Sequence, residues 1–158
     1  KYTWVDFGSY YLPSDLNAAY LYAQLELLKE INEKRMAIWN LYHEAFAGLE
    51  EKHLVERPFV PDYAVHNAHM YYLKLKDLET RTEFIRYMKE NGVQCVFHYI
   101  PLHTATAGQR FGRFYGEDRY TTKESERLVR LPMYYNLDLA KAEQVAELVQ
   151  KFPGYKEI

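Results

Sequence analysis

The sequence predicts an α+β domain: a sheet of about three mainly antiparallel strands packed with helices, preceded by a long helical connector. Three observations carry this reading. Apolar residues recur at helical spacing from Leu16 to Leu49 and again from Ala142 to Phe152. The stretch His69 to Lys76 alternates instead, with Tyr71, Leu73 and Leu75 on one face and Lys74 and Lys76 on the other. The serial strand–helix units of a complete nucleotide-binding α/β domain are absent.

Taken in order, Lys1 to Leu12 reads as an extended connector containing the turn-prone Gly8-Ser9-Tyr10-Tyr11. Pro13 and Ser14 then start a helix. The Ser14 hydroxyl suits the N-cap, and Asp15 suits the positive helix start. Leu16, Ala19, Tyr20, Ala23 and Leu27 line one side of it, and Ala18, Leu21, Tyr22, Leu25 and Leu28 fill much of the other. A helix apolar nearly all round is expected to be sandwiched, here between two domains or two subunits. A second helix is expected from Ile31 through Ala47, with Ile31, Ile38, Tyr42, Ala45 and Leu49 buried and Gly48 as its stop. Its charged face, Glu30, Glu33, Lys34 and Arg35, reads as solvated.

Leu54 to Pro58 is a short strand candidate, and Pro58 and Pro61 open a loop to about Asn67. Thr80 with Glu83 forms a capping box for a helix to Asn91 that Gly92 ends. Val93 to Ile100 is the next strand, with Val93, Cys95, Phe97 and Tyr99 on one face. Pro101 to Gly116 is a loop with room for one helical turn. Thr121 with Glu124 is a second capping box, for a helix to about Arg130, and Leu131 to Tyr135 is extended. Asp138 caps a last helix, which buries Ala142, Val145, Ala146, Val149 and Phe152 and stops at Pro153-Gly154. Residues 1–49 thus read as connector and interface helices, and residues 50–158 as the sheet and its helices, in one domain.

Composition narrows the function. At 158 residues the chain has the size of one domain. Its net charge of −2 gives bulk electrostatics no pull toward nucleic acid or an anionic membrane, so neither is expected as a partner. The single cysteine, Cys95, excludes an internal disulfide. No apolar run is long enough to span a bilayer, and no signal peptide is visible. Sixteen tyrosines suit half-buried surfaces with a polar tip, such as interfaces and sugar sites, or a Tyr-rich core.

The segment GSYYLPSDLNAAYLYAQL, together with FHYIPLH and GEDRYTTKESERLVRLPMYYNL, resembles the DegT-type sugar-nucleotide aminotransferases. These are pyridoxal-phosphate enzymes of fold type I. The wording is similar to the branch of dTDP-4-oxo-6-deoxy-D-glucose transaminases, which make dTDP-4-amino-4,6-dideoxygalactose. The likeness runs from Lys1 to about Phe152. It implies the small C-terminal domain of such an enzyme, with the large cofactor domain upstream of Lys1 and not in this sequence. It further implies transfer of an amino group from L-glutamate to C4 of a dTDP-4-keto-6-deoxy sugar. It also implies a homodimer and a cytoplasmic setting in polysaccharide biosynthesis, as for enterobacterial common antigen.

Pyridoxal-phosphate chemistry needs a lysine for covalent attachment and an acid beside the pyridine nitrogen. In the family both lie in the large domain. None of the eleven lysines here sits in a context like the family's cofactor-lysine motif, so the sequence carries no catalytic residue and is expected to be inactive alone. The resemblance instead implies substrate binding by His98, Tyr99 and His103, where a strand runs into a loop at Pro101, and by Arg119 and Tyr120. Imidazole and phenol groups hydrogen-bond sugar hydroxyls and pyrophosphate oxygens. The plainer alternatives are a hydrogen-bonded histidine under a loop for His98, and a surface ion pair for Arg119. Family members often use an Asn before the first helix to reach the cofactor phosphate of the neighbouring subunit. This chain has no Asn before Asn17, which leaves Ser9 or Tyr10 for that contact, or a packed interface turn.

Two rival readings come from other classes. One is a metal site, in which His66, His69, His98 and His103 converge. Zinc ligands usually sit in pairs on a helix or knuckle, whereas here one pair enters a strand and the other leaves one. The other is a non-catalytic interaction domain whose exposed helix binds a partner.

Overall fold

The structure, a computed structural model, describes residues 11–156. The Ser9-Tyr10 turn and most of the expected connector lie outside the described residues. Helix α1 spans Asp15–Glu26, and the Ser14 hydroxyl accepts from the Asn17 amide, as its N-cap position predicts. The turn at Leu27 separates it from α2, Leu28–Ala45. No residue of α1 is buried; Leu16 is 84% exposed and Tyr20 72%, so the apolar girdle has no cover among the described residues.

Helix α2 buries Ile38, Trp39 and Tyr42. It ends at Phe46 rather than at Gly48, which lies inside the short helix α3, Ala47–Glu51. Phe46 is fully buried, so packing rather than glycine turns the chain there. The strand expected over Leu54 to Pro58 reduces to a single bridge, Glu56 to Lys74, because Pro58 withholds a ladder donor.

Strand β1, Tyr71–Lys74, alternates as predicted, with Tyr71, Leu73 and the following Leu75 buried. Helix α4 spans Leu78–Glu90. Its cap is Asp77, whose carboxylate accepts from the Thr80 amide at 2.9 Å and the Thr80 hydroxyl at 2.8 Å. Thr80 is therefore the donor in the first turn and not the cap. The helix stops at Gly92, whose φ of +79° needs no Cβ, and the Val93 amide returns to the Met88 carbonyl at 2.8 Å.

Strand β2 is only Val96–Phe97, shorter than the expected Val93 to Ile100. It finds a partner only where β3, Leu128–Leu131, runs alongside. β3 starts three residues before the expected extended segment at Leu131, since α6, Thr121–Arg127, ends sooner than Arg130. The sheet order is β1-β3-β2, all antiparallel, with Tyr71 opposite Leu131 and Val96 opposite Arg130. Between β2 and α6 lies α5, Thr106–Phe111.

Helix α7, Leu139–Gln150, is capped by Asp138 and buries Ala142, Val145, Ala146 and Val149 as the spacing requires. A 3-10 turn, Pro153–Lys156, follows. The core is one cluster in which α2, α4 and α7 close on the sheet. Its aromatic centre is Trp39, Tyr42, Phe46 and Tyr71, with ring centroids 5.4 to 5.9 Å apart between neighbours. The Tyr42 hydroxyl donates to the Pro132 carbonyl at 3.0 Å, which ties α2 to the chain leaving β3.

Candidate functional site

The candidate site is built where β2 gives out. After Phe97 the chain leaves the ladder, and His98, Tyr99, Ile100 and Pro101 run over α4 and α6 into a loop. Helix α5 folds back on that loop. A Cβ at Gly108 would lie 1.6 Å from the Leu102 carbonyl oxygen, so only glycine lets α5 approach this closely.

The His98 ring is half-buried and lies 3.7 Å, centroid to centroid, from the Tyr99 ring. Burial first, and then the positive charge of Arg130, push the His98 imidazole below its ordinary value. It is therefore neutral at pH 7, with one nitrogen donating and one accepting. Tyr99 is 64% exposed.

His103 is anchored differently. Its Nε2 lies 2.7 Å from Asp118 Oδ2 and 3.4 Å from the Thr122 hydroxyl, and its ring packs 4.4 Å from that of Phe114. Asp118 also accepts from the Thr122 hydroxyl at 2.5 Å and from the Thr122 amide at 3.3 Å. The Thr122 hydroxyl above all, with His103 beside it, holds the Asp118 carboxyl below the usual carboxylate range. Asp118 thus does the work expected of the Thr121 capping box; Tyr120 occupies the N-cap position without a side-chain cap. This pins the Pro101–Gly116 loop to the start of α6. With Nε2 engaged, Nδ1 is the His103 nitrogen left for a ligand.

Arg119 donates to Glu117 at 2.9 Å on an exposed surface, and Tyr120 is 73% exposed. Tyr99 and Thr122 share the wall of a cavity of about 230 Å³ with Phe97, Pro101, Arg81 and Glu126. Sequence reasoning missed Arg81, Asp118 and Thr122. Arg81 carried a legible signal: it shares the buried stripe of α4 with Phe84 and Met88, at positions where an apolar residue belongs.

The four histidines of the metal reading have separate surroundings. His66 lies 4.5 Å from Trp39 and accepts from the Ala68 amide, while His69 is exposed. Among the described residues no three His, Cys, Asp or Glu side chains gather to hold a metal ion. Several described lysines are ion-paired: Lys34 with Glu30 at 2.9 Å and Lys151 with Glu147 at 3.0 Å on the surface, and the half-buried Lys74 with Glu124 at 2.6 Å.

The profile of the DegT/DnrJ/EryC1/StrS aminotransferase family matches residues 1–150. The chain belongs to this family. Solved structures agree in fold. The aminotransferase TlmJ from Streptoalloteichus hindustanus is 21% identical with a TM-score of 0.73, over 86% of this chain and 35% of that one. PseC from Helicobacter pylori, an aminotransferase involved in the biosynthesis of pseudoaminic acid, is 16% identical with a TM-score of 0.70, over 86% and 36%. Spr1654 from Streptococcus pneumoniae, in its PLP-form, is 21% identical with a TM-score of 0.68, over 85% and 33%. At these identities the likeness is one of fold. The chain spans about a third of the length of these structures.

Proposed function

We propose that this chain is the small domain of a pyridoxal-phosphate-dependent sugar-nucleotide aminotransferase, and that it forms one wall of the sugar pocket. The observation that carries the reading is the family match over residues 1–150, combined with the His98-Tyr99 and His103 segment at a strand end. Structures of Spr1654 in PLP- and PMP-forms support the choice of cofactor.

On this reading the chain does not hold the cofactor by itself. Lys34, Lys74 and Lys151 are each paired with a carboxylate. In this proposal the cofactor is held by polypeptide outside the chain, and Ser9 or Tyr10 reaches its phosphate in the neighbouring subunit of a homodimer.

The chain's own part is recognition. Neutral His98 offers one donor and one acceptor to a sugar hydroxyl or keto oxygen. Tyr99 supplies a phenol and a ring face, and His103 its Nδ1. Arg119 is released from Glu117 to meet pyrophosphate, with Tyr120 beside it. The substrate we infer is a dTDP-4-keto-6-deoxy sugar, aminated at C4 with L-glutamate as donor, to dTDP-4-amino-4,6-dideoxygalactose for surface polysaccharide. The setting is cytoplasmic.

The test is to incubate the complete protein with pyridoxal phosphate, L-glutamate and dTDP-4-keto-6-deoxyglucose. The expected result is a dTDP-amino sugar and an equal amount of 2-oxoglutarate. Turnover with other nucleotide-linked keto sugars but not this one would replace the substrate. No amination of any keto sugar would overturn the reading.

A further inference from the structure

The cavity beside Tyr99 contains a charge arrangement that the sugar reading does not use. Arg81 is 8% exposed, yet its Nε has no acceptor among the described residues. Its guanidinium carbon lies 4.8 Å from the centre of the Phe97 ring, and no carboxylate among the described residues forms an ion pair with it. A buried guanidinium Nε–H without an acceptor is a costly feature, since a desolvated donor has lost its water without gaining a partner. Burial lowers the Arg81 pKa from its ordinary value, and the nearby Glu126 charge acts against that. Glu126 lines the same cavity and also makes no ion pair among the described residues.

The hydroxyls around the cavity sharpen the chemistry. Thr104 donates its proton to the Pro101 carbonyl at 3.0 Å. Ser125 donates to the Thr122 carbonyl at 3.0 Å, and Thr122 donates to Asp118. With their protons committed, the oxygens of these cavity-lining residues keep acceptor capacity only. The cavity therefore offers donors at one place, Arg81, and acceptors at the others, Glu126 and the hydroxyls. Phe97, Tyr99 and Ile100 supply apolar wall between them. At about 230 Å³ it is smaller than the roughly 300–1,000 Å³ of a drug-sized site.

We propose that this cavity binds a free α-amino acid with an apolar side chain, its carboxylate on Arg81, its ammonium at Glu126 and the neighbouring hydroxyl oxygens, and its side chain against Phe97 and Tyr99. A simple anion satisfies Arg81 but not the acceptor set. A simple amine does the reverse and leaves the guanidinium unpaired. A zwitterion with a short apolar body satisfies both ends.

The experiment titrates the full chain with L-leucine, 4-methylpentanoate, which lacks the ammonium, and 3-methylbutylamine, which lacks the carboxylate. Binding is read by saturation-transfer NMR, which needs no cofactor and no turnover, so its outcome is separate from that of the aminotransferase assay. L-leucine is expected to saturate the site. Each analogue is expected to bind at least about tenfold more weakly, the effect of one lost charge-assisted contact. Arg81→Met should remove the advantage of leucine over the amine, and Glu126→Gln its advantage over the acid. If Arg81→Met does not fold, the analogue series and Glu126→Gln still decide. Equal binding of the three compounds, leucine binding unchanged in both variants, or no saturable binding of leucine overturns the proposal. The last is the result expected if an acidic side chain from elsewhere in the protein already sits on Arg81.

Discussion

Replacing Arg81 with methionine should raise the stability of the protein, against the usual direction of a core substitution. Arg81 sits on the buried face of α4 with Phe84 and Met88 and stacks on Phe97, while its Nε is sealed from solvent without an acceptor. An unpaired buried donor costs about 1–3 kcal/mol. Even a buried ion pair can often be exchanged for apolar residues of similar volume at no loss, or with a gain of roughly 1–4 kcal/mol, and Arg81 has no ion-pair partner among the described residues to leave behind. Methionine keeps most of the contact with Phe97 but forfeits the guanidinium–ring attraction, about 0.5–2 kcal/mol. The balance favours Arg81→Met by on the order of 1 kcal/mol, or about 2–4 °C in melting temperature for a chain of this size. Thermal unfolding followed by circular dichroism, without amino acids in the buffer, measures it. Arg81→Ala, which opens a void beside Phe97, should instead melt lower than wild type. A fall of several degrees for Arg81→Met would mean that the guanidinium has a strong partner, and the charge argument for the cavity would go with it.

In the complete enzyme, His98→Ala and His103→Ala should each lower turnover or apparent sugar affinity at least about tenfold, equivalent to ~1.4 kcal/mol of transition-state binding. His103→Ala should also lower the melting temperature, because Asp118 and Thr122 lose a partner, whereas His98→Ala should move it little. Large melting shifts with normal turnover in the folded fraction would make both histidines structural. Burial first, and then Arg57, depress the His43 pKa below 6.5, so the unfolded chain binds the proton more tightly. Its contribution to stability is complete above about pH 6.5 and is lost as pH falls through the folded value. Urea midpoints should therefore decline on acidification below pH 6.5, and His43→Phe should flatten that decline; an unchanged slope would refute the assignment. Cys95, whose thiol burial pushes up to about 12, should resist iodoacetamide in the native state at about pH 8 and react on unfolding in urea. Rapid native alkylation would contradict its burial.

Local chemistry by itself determined the helix starts at Ser14 and Asp138, the stop at Gly92, the inward face of Tyr71, Leu73 and Leu75, and the buried stripe of α7. Each depends on contacts within about four residues or on a clean period, so each is written in the order of the side chains. The family motifs, likewise, are linear and legible. Tertiary structure decided the rest. Asp77 and Thr80 are both competent caps, and only the path of the chain leaving β1 selects the first. β2 extends only as far as β3 offers ladder partners, and β3 in turn begins where α6 ends, neither of which is a local property. His103 was legible as a candidate, but its anchor Asp118 lies fifteen residues along the chain and meets it only through the folded loop. Arg81 was visible as a charge on an apolar stripe; that it lines one cavity with Glu126, with the nearby hydroxyl protons already committed, follows from packing among α4, α6 and the strand end. Helix α1 marks the opposite case. Its apolar girdle is plain in the sequence, but what a nonpolar surface packs against is set by shape and proximity, and side-chain order alone does not encode these.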